Sequence, residues 1–285
     1  MNSLRRSFVA PRTAEPSSPA NTVLALARFG IGVVLLSLAF SLFVLPWVHL
    51  SWVKVVRRCV SISAAITLWW CITKVERRSF QSYGLGPFRE GKRHLRFGLL
   101  LGLSALAVLA VLGLATGVYT IVISPDRVKL WRTLVGFIPA MGVVGLLEEL
   151  VFRGYILQHL LAISRSLAVI VSSALYSVVH VKSPTWTMMS WMELIGLFLL
   201  GVVLSLSALQ TRQLYVAIGL HAALAYGARV NKLLIAVQES SMDWLVGTSR
   251  LINGVASWVV LLVIAVIILG WSHSLRRGGV QHGDA

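Results

Sequence analysis

The feature that most narrows the folds open to this chain is a succession of apolar runs, each about as long as a bilayer is thick and separated by only a few polar residues. Inside hydrocarbon, backbone N–H and C=O groups find no water, so a run of about twenty apolar residues is satisfied only by winding into a helix. The runs cover about 22–47, 52–73, 95–122, 131–162, 167–181, 188–209, 213–229 and 255–271. They predict an all-α, polytopic transmembrane bundle of about eight spans. Composition agrees: of 285 residues 57% are hydrophobic and only 13% charged, with a mean hydropathy of +0.81. Almost nothing is left over for a soluble domain. The transmembrane domain, 22–272, is expected to lie between a disordered basic tail at 1–21, carrying Arg5, Arg6 and Arg12 among Ser and Pro, and a polar tail at 273–285.

A net charge of +16 first suggests nucleic acid. The basic residues, however, sit in short connections between spans, the pattern of the positive-inside rule, so a nucleic-acid partner is excluded and the lipid bilayer takes its place. The connection at 74–96 holds Lys74, Arg77, Arg78, Arg89, Lys92, Arg93 and Arg96 and is expected in the cytoplasm. Tyr83-Gly84-Leu85-Gly86-Pro87 within it reads as an ordered turn. Eight spans would put both termini on that side, and Arg127, Lys129, Arg132, Arg229 and Lys232 on the other. The first run is too long for a signal-peptide core. Short loops and no organelle signal read as a multi-pass protein of a bacterial inner membrane. Cys59 and Cys71, twelve residues apart on one helix, are roughly 18 Å apart along its axis, too far for a disulfide.

One stretch breaks the apolar pattern: Glu148-Glu149-Leu150-Val151-Phe152-Arg153-Gly154. A charge at the centre of a span costs at least about 2.5 kcal/mol, so it faces a protein interior or a wet cavity and marks function. Helical spacing separates the two acids. Glu149 and Arg153 are four apart with the acid N-terminal, the favoured arrangement for an ion pair. Glu148 is left as the free carboxylate, and His180 and His221, in later apolar runs, are the groups expected to meet it. Glu193, near the start of the sixth run, reads as interfacial. The fourth run is longer than a span needs, with Pro139 or Gly154 as the expected kink.

Glu-Glu-x-x-x-Arg, then Tyr176-x-x-x-His180, then His221 in a further apolar helix resembles the CPBP intramembrane proteases, also called the Abi or CAAX-protease family, which include the Rce1-type prenyl-protein endopeptidases. The likeness covers about 131–230 and extends to Phe152-Arg153-Gly154, Ser172-Ser173-Ala174-Leu175-Tyr176 and the run 214–220 before His221. It implies an intramembrane endopeptidase acting on a membrane-anchored or lipid-modified polypeptide, with Glu148, Glu149, Arg153, His180 and His221 as site residues. One position departs: family members carry Asn or Asp four residues after the last histidine, where this chain has Ala225, and Tyr226 is a poorly placed substitute.

Two mechanisms suit one Glu and two His. Glu148, His180 and His221 would bind Zn²⁺ with water at an open position, or Glu148 would take a proton from water while a histidine donates to the oxyanion. Without His-Glu-x-x-His or thiolate ligands, the sequence favours the metal-free route, with no cofactor. The rival is a non-catalytic protein of the same fold in peptide binding or bacteriocin immunity, which Ala225 favours. A proton-coupled transporter is a third class, but no matching broken-helix halves are present. Nothing in the pattern fixes an oligomeric state.

Overall fold

The computed structural model describes residues 18–180, 187–238, 240–248 and 251–280. Of the expected tails, 1–17 and 281–285 lie outside the described residues, as do residues 181–186, which include the last residue of the expected fifth run. Helix α1 begins at Pro19 and runs to Val44, started by Ser18, whose hydroxyl accepts from the Asn21 amide at 3.3 Å, and by proline in the first turn. It packs against α2, Trp52–Trp70, which ends in a wide π-helical turn at Cys71–Val75. Helix α3, Phe88–Ala115, starts seven residues before the expected run, so Arg89, Lys92, Arg93 and Arg96 stand on its first turns and not in a loop.

Beyond α3 comes a short strand β1, Tyr119–Ile121, then α4, Arg127–Leu134, and α5, Phe137–Glu149, which continues through a π-helical stretch, Leu150–Ile156, into α6, Leu157–Leu161. The two parts meet at 42°. The bend falls at Val135 and Gly136, ahead of the expected Pro139, which sits in the first turn of α5 where an amide has no helical acceptor anyway. Helices α7, Arg165–His180, α8, Met188–Thr211, and α9, Tyr215–Leu234, follow; strand β2, Ile235–Val237, pairs antiparallel with β1, and α10, Asp243–Val246, precedes α11, Val255–Val280.

The bundle is helical and membrane-like, but the expected count of eight spans needs correction. Five helices among the described residues are long and apolar enough to cross a membrane, or six if the bent pair α4 to α6 is one span. The expected fifth and seventh spans fall short for different reasons. Helix α7 has sixteen residues, about 24 Å against a hydrocarbon core of about 30 Å. Helix α9 carries His221, Tyr226, Arg229, Asn231 and Lys232 and is enclosed by protein, since α3, α5 and α8 pack around it. Every residue from Tyr215 to Ala223 is buried. A helix solvated by other helices has no need of lipid-grade apolarity. Leu35, Leu42, Val111, Val263 and Val266 on the outer helices are exposed, as a lipid-facing surface requires.

Small residues let α3 approach α9. A Cβ on Gly98 would strike the Val216 carbonyl, one on Gly219 the Leu95 carbonyl, and one on Gly102 the Ala223 methyl. Hydrogen bonds define two ends of the bundle. At the basic end the Leu214 amide donates to the Gly84 carbonyl at 3.0 Å, the Tyr215 hydroxyl to Gly86 at 2.5 Å, and Thr22 Oγ1 to His159 O at 3.4 Å. Glu76 is clasped there by the Tyr83 hydroxyl and by His159, whose Nε2 is 3.2 Å from Oε1. At the far end are the β1–β2 pair and Tyr119, whose hydroxyl lies 3.2 Å from the Thr248 carbonyl.

Two outcomes follow from this packing. Gly98→Val, forced against backbone that cannot rotate away, lowers the stability of the detergent-solubilised protein by about 3 kcal/mol, whereas Gly142→Ala, with open space around it, leaves it unchanged or raises it by up to about 1 kcal/mol; thermal unfolding measures both. Burial pushes the Glu76 carboxyl up, but hydrogen bonds from His159, Tyr83 and Tyr155 outweigh it and hold the group below its ordinary value. Its contribution to stability is therefore full above the unfolded carboxylate pKa of about 4.3 and is lost as pH falls through the lower folded value. The stability gap between wild type and Glu76→Gln, present at pH 5, closes below about pH 4.

Candidate active site

Helix α5 delivers the two acids at its C-terminal end, and the π-helical stretch begins at the next residue. All seven residues from Leu150 to Ile156 are buried. Wide turns of this kind interrupt α-helices at functional sites. Glu149 and Arg153 are each 0% exposed. Arg153 Nη1 donates to Glu149 Oε1 at 2.9 Å, as the four-residue spacing predicts, and Nη2 donates to the Gly201 carbonyl of α8 at 3.1 Å. The guanidinium carbon lies 4.5 Å from the Tyr176 ring centre, so the cation is held by a carboxylate, a carbonyl and an aromatic face. Gly201 permits this approach: a Cβ there would sit 2.8 Å from the Cβ of Ser173 on α7.

Glu149 also leaves its own helix. His221 Nδ1 lies 2.7 Å from the same Oε1, so one buried carboxylate joins Arg153 to α9. His221 was expected to meet Glu148; its shorter bond is to Glu149, and its Nε2 stands 3.6 Å from Glu148 Oε2. The sequence could not show this, because a charge satisfied within its helix gives no sign of a second partner 72 residues on. Glu148 takes the role expected of it as the carboxylate outside the ion pair. It is 29% exposed, and its Oε2 is 3.0 Å from His180 Nε2.

Hydrogen bonding assigns the histidine protons. His180 Nδ1 is 2.7 Å from the Tyr176 carbonyl, which only accepts, so Nδ1 carries a proton. His221 Nδ1 faces a carboxylate already paired with arginine and is likewise the donor. Both Nε2 atoms therefore point at Glu148, and a neutral imidazole presents a lone pair there. Two lone pairs against a carboxylate repel unless the cluster holds one further proton, which the 3.0 Å contact between Glu148 and His180 places between those two groups. Tyr176 fixes both rings, with centroids 4.3 Å from His180 and 5.8 Å, edge on, from His221.

These groups form the floor of a cavity of about 400 Å³. Its walls are mainly apolar, with Met141, Val144, Leu197 and Leu224, and towards the far end it is lined by Phe137, Arg229 and Lys232. Glu193, read from the sequence as interfacial, lines it too. The two cations were passed over in the sequence, although a signal was present: Leu224, Ala225, Ala228, Arg229 and Lys232 stand three, four, seven, eight and eleven residues after His221, one face of a helix. Ala225 faces the cavity. Tyr226 does not stand in for it, since its hydroxyl donates to the Leu134 carbonyl at 2.7 Å. Although Glu148, His180 and His221 converge, no group of three His, Cys, Asp or Glu side chains among the described residues has an arrangement that holds a metal ion.

Residues 130–226 match the family model described as Type II CAAX prenyl endopeptidase Rce1-like. That stretch is similar to the Rce1-like family. The match begins in α4 and ends in α9, so the Rce1-like segment carries both glutamates, Arg153, both histidines and Ala225, while Arg229 and Lys232 lie beyond it. No curated protein matches the chain.

Burial separates the two acids experimentally. Arg153→Ala strands a fully buried carboxylate and costs about 3–5 kcal/mol of stability, whereas Glu148→Gln, at the cavity wall, costs about 1 kcal/mol or less. Unfolding of the two variants in one detergent tests the contrast.

Proposed function

We propose that the protein is a CAAX-type intramembrane endopeptidase that hydrolyses a peptide bond of a membrane-anchored polypeptide without a metal ion. The observation that carries this reading is the convergence of Glu148 Oε2 with the Nε2 atoms of His180 and His221 at the floor of a largely apolar cavity. The match of residues 130–226 to the Rce1-like model supports the class, a membrane protease. The residue roles come from the geometry.

Glu148 accepts a proton from a water aligned on the scissile carbonyl, and the hydroxide adds to the carbon as the carbonyl π pair moves onto oxygen. The further proton of the cluster, shared by Glu148 and His180 at rest, has by then passed from Glu148 Oε2 to His221 Nε2, 3.6 Å away, which frees Glu148 as the base and lets His221 donate to that oxyanion. Glu149, held by Arg153, stabilises the charge on the imidazolium through Nδ1 and fixes the ring; both are positioning residues, since neither faces the cavity. As the tetrahedral intermediate collapses, the C–N bond breaks and the proton gathered by Glu148 passes, directly or by way of His180, to the leaving amine. The acid end of the reaction is then ready for another water.

The donor that relatives carry four residues after this histidine is replaced by the Ala225 methyl, so oxyanion stabilisation rests on His221. A slow enzyme with few substrates is the consequence. Ala225 is also the observation that favours the second reading, a peptide-binding protein of the same fold. The basic end of the bundle is taken as cytoplasmic in a bacterial inner membrane, which puts the Arg229 and Lys232 end of the cavity towards the opposite face and makes prenylated cytoplasmic tails poor candidates for cleavage.

Comparison of membrane peptidomes at matched expression tests the reading. Glu148→Gln and His221→Ala both lose the same cleavage products, with the purified rate down by about 10²–10⁴, and chelation of divalent ions leaves the wild-type rate unchanged. Folded variants with an unchanged peptidome would overturn the protease and leave the binding protein. Loss of activity on chelation, restored by Zn²⁺, would overturn the metal-free route.

A further inference from the structure

The proposed chemistry uses α5 to α9 and leaves the outer pair, α1 and α2, without a task. Arg28 is the anomaly there: a half-buried cation inside the first apolar helix, which among the described residues makes neither an ion pair nor a hydrogen bond. A bare charge in hydrocarbon is costly, so its depth matters. Trp47 follows Arg28 by nineteen residues, and Trp70 follows Trp52 by eighteen. These are about 28 and 27 Å of helix, close to a hydrocarbon thickness of about 30 Å. Trp47, Trp52, Trp69 and Trp70 are all exposed, as residues of the two aromatic belts are. Arg28 therefore stands at headgroup level, beside the belt formed by Trp69 and Trp70. Glu76, the acid at this end of α2, is already clasped by Tyr83 and His159.

Towards the bilayer centre from Arg28, α1 and α2 leave between them a groove of about 390 Å³, walled by Gly32, Leu36 and Ala39 on one side and Ile66, Thr67 and Trp70 on the other. Gly32 brings the helices together at its floor, since a Cβ there would come 2.7 Å from the Thr67 methyl. Arg28, Gly32, Leu36 and Ala39 follow one another at spacings of four, four and three, so the cation and the groove share one face of α1. On α2 the stripe through Ile66 and Trp70 ends four residues later in Lys74, which is exposed and whose Nζ lies 5.5 Å from the Trp69 ring centre. Arg28 is within electrostatic range of Cys71, three residues short of Lys74. Two cations from neighbouring helices thus stand over the headgroup end of an apolar groove. That order is the order of a phospholipid, phosphate at the interface and acyl chain beneath it. In a zwitterionic headgroup an ammonium already balances the phosphate, so two uncompensated cations favour a headgroup of net negative charge. We propose that α1 and α2 bind one anionic phospholipid of the leaflet at the basic end, its phosphate between Arg28 and Lys74 and an acyl chain in the groove. The groove shares no lining residue with the cavity of Glu148, and the site stands whether or not that cavity cuts peptides.

The test is native mass spectrometry of the delipidated full-length protein in a non-ionic detergent, titrated with dioleoyl phosphatidylglycerol, dioleoyl phosphatidylcholine and dihexanoyl phosphatidylglycerol. The wild type takes one dioleoyl phosphatidylglycerol about tenfold to thirtyfold more tightly than the choline lipid, and takes the short-chain lipid weakly. Arg28→Gln with Lys74→Gln removes that preference and leaves the choline lipid bound as before, a pattern that general loss of folding would not give. Arg89→Gln with Lys92→Gln, which takes two exposed cations from α3 at the same end, keeps the preference. Ala39→Trp fills the groove from an exposed position and weakens both dioleoyl lipids. Equal affinity for the two dioleoyl lipids in the wild type, or a preference that survives Arg28→Gln with Lys74→Gln, overturns the site. So does a preference that the α3 variant abolishes as fully, which is diffuse attraction to a basic surface. Short-chain lipid bound as tightly as long overturns the groove, because the headgroup alone then accounts for the binding. If the Arg28 and Lys74 variant binds neither lipid, Ala39→Trp decides: dioleoyl lipids undiminished by it overturn the site.

Discussion

The arrangement of this bundle depends on a single carboxylate, Glu149, which is fully removed from solvent and holds Arg153 of its own helix and His221 of α9 through one oxygen. A buried charge of this kind tolerates no slack, because losing either partner leaves it uncompensated in a medium that cannot solvate it. Two helices are thereby fixed in rotation and in register. The other oxygen-bearing side chain of the pair, Glu148, is turned to the cavity as a consequence, since adjacent helical residues point about 100° apart. Two tasks are divided between neighbours in sequence, one acid locking the helices together and the other facing the cavity.

What surrounds that lock is equally specific. Arg153 reaches α8 only because Gly201 lets α7 and α8 close on one another, and α9 takes its central place only because Gly98, Gly102 and Gly219 admit it against α3. These contacts are backbone to backbone, where bilayer lipid offers no hydrophobic gain for burying a larger side chain. The result is a core in which polar groups at three levels are satisfied by different means: the Glu76 clasp at the basic end, the glutamate and histidine cluster in the middle, and the rim cations towards the far end.

The metal-free and metal-assisted routes require different things of the same three side chains. A metal would occupy the lone pairs that both Nε2 atoms present, whereas without one the cluster needs a shared proton. Protonation of the Glu148 and His180 pair is the economical solution, because His180 already spends its Nδ1 proton on the Tyr176 carbonyl and His221 spends its own on Glu149. The Ala225 methyl puts an apolar group in the cavity wall one turn beyond His221.

The sequence by itself determined the helical membrane class of the molecule and which polar side chains meet at its centre, and for a physical reason: in lipid, apolarity over twenty residues and charge within it are both costly to misplace, so runs and exceptions are equally legible. The pair Glu149 and Arg153 was readable because it is set by four residues on one helix, and the free Glu148 by elimination. Tertiary structure decided everything that depends on rotation between helices. It gave His221 to Glu149 as well as Glu148, enclosed α9 so that a helix counted as a span became the centre of the bundle, and moved the bend from Pro139 to Gly136. Hydropathy does not distinguish a helix bathed in lipid from one bathed in other helices, and no spacing within one helix states which neighbour its buried charge will meet.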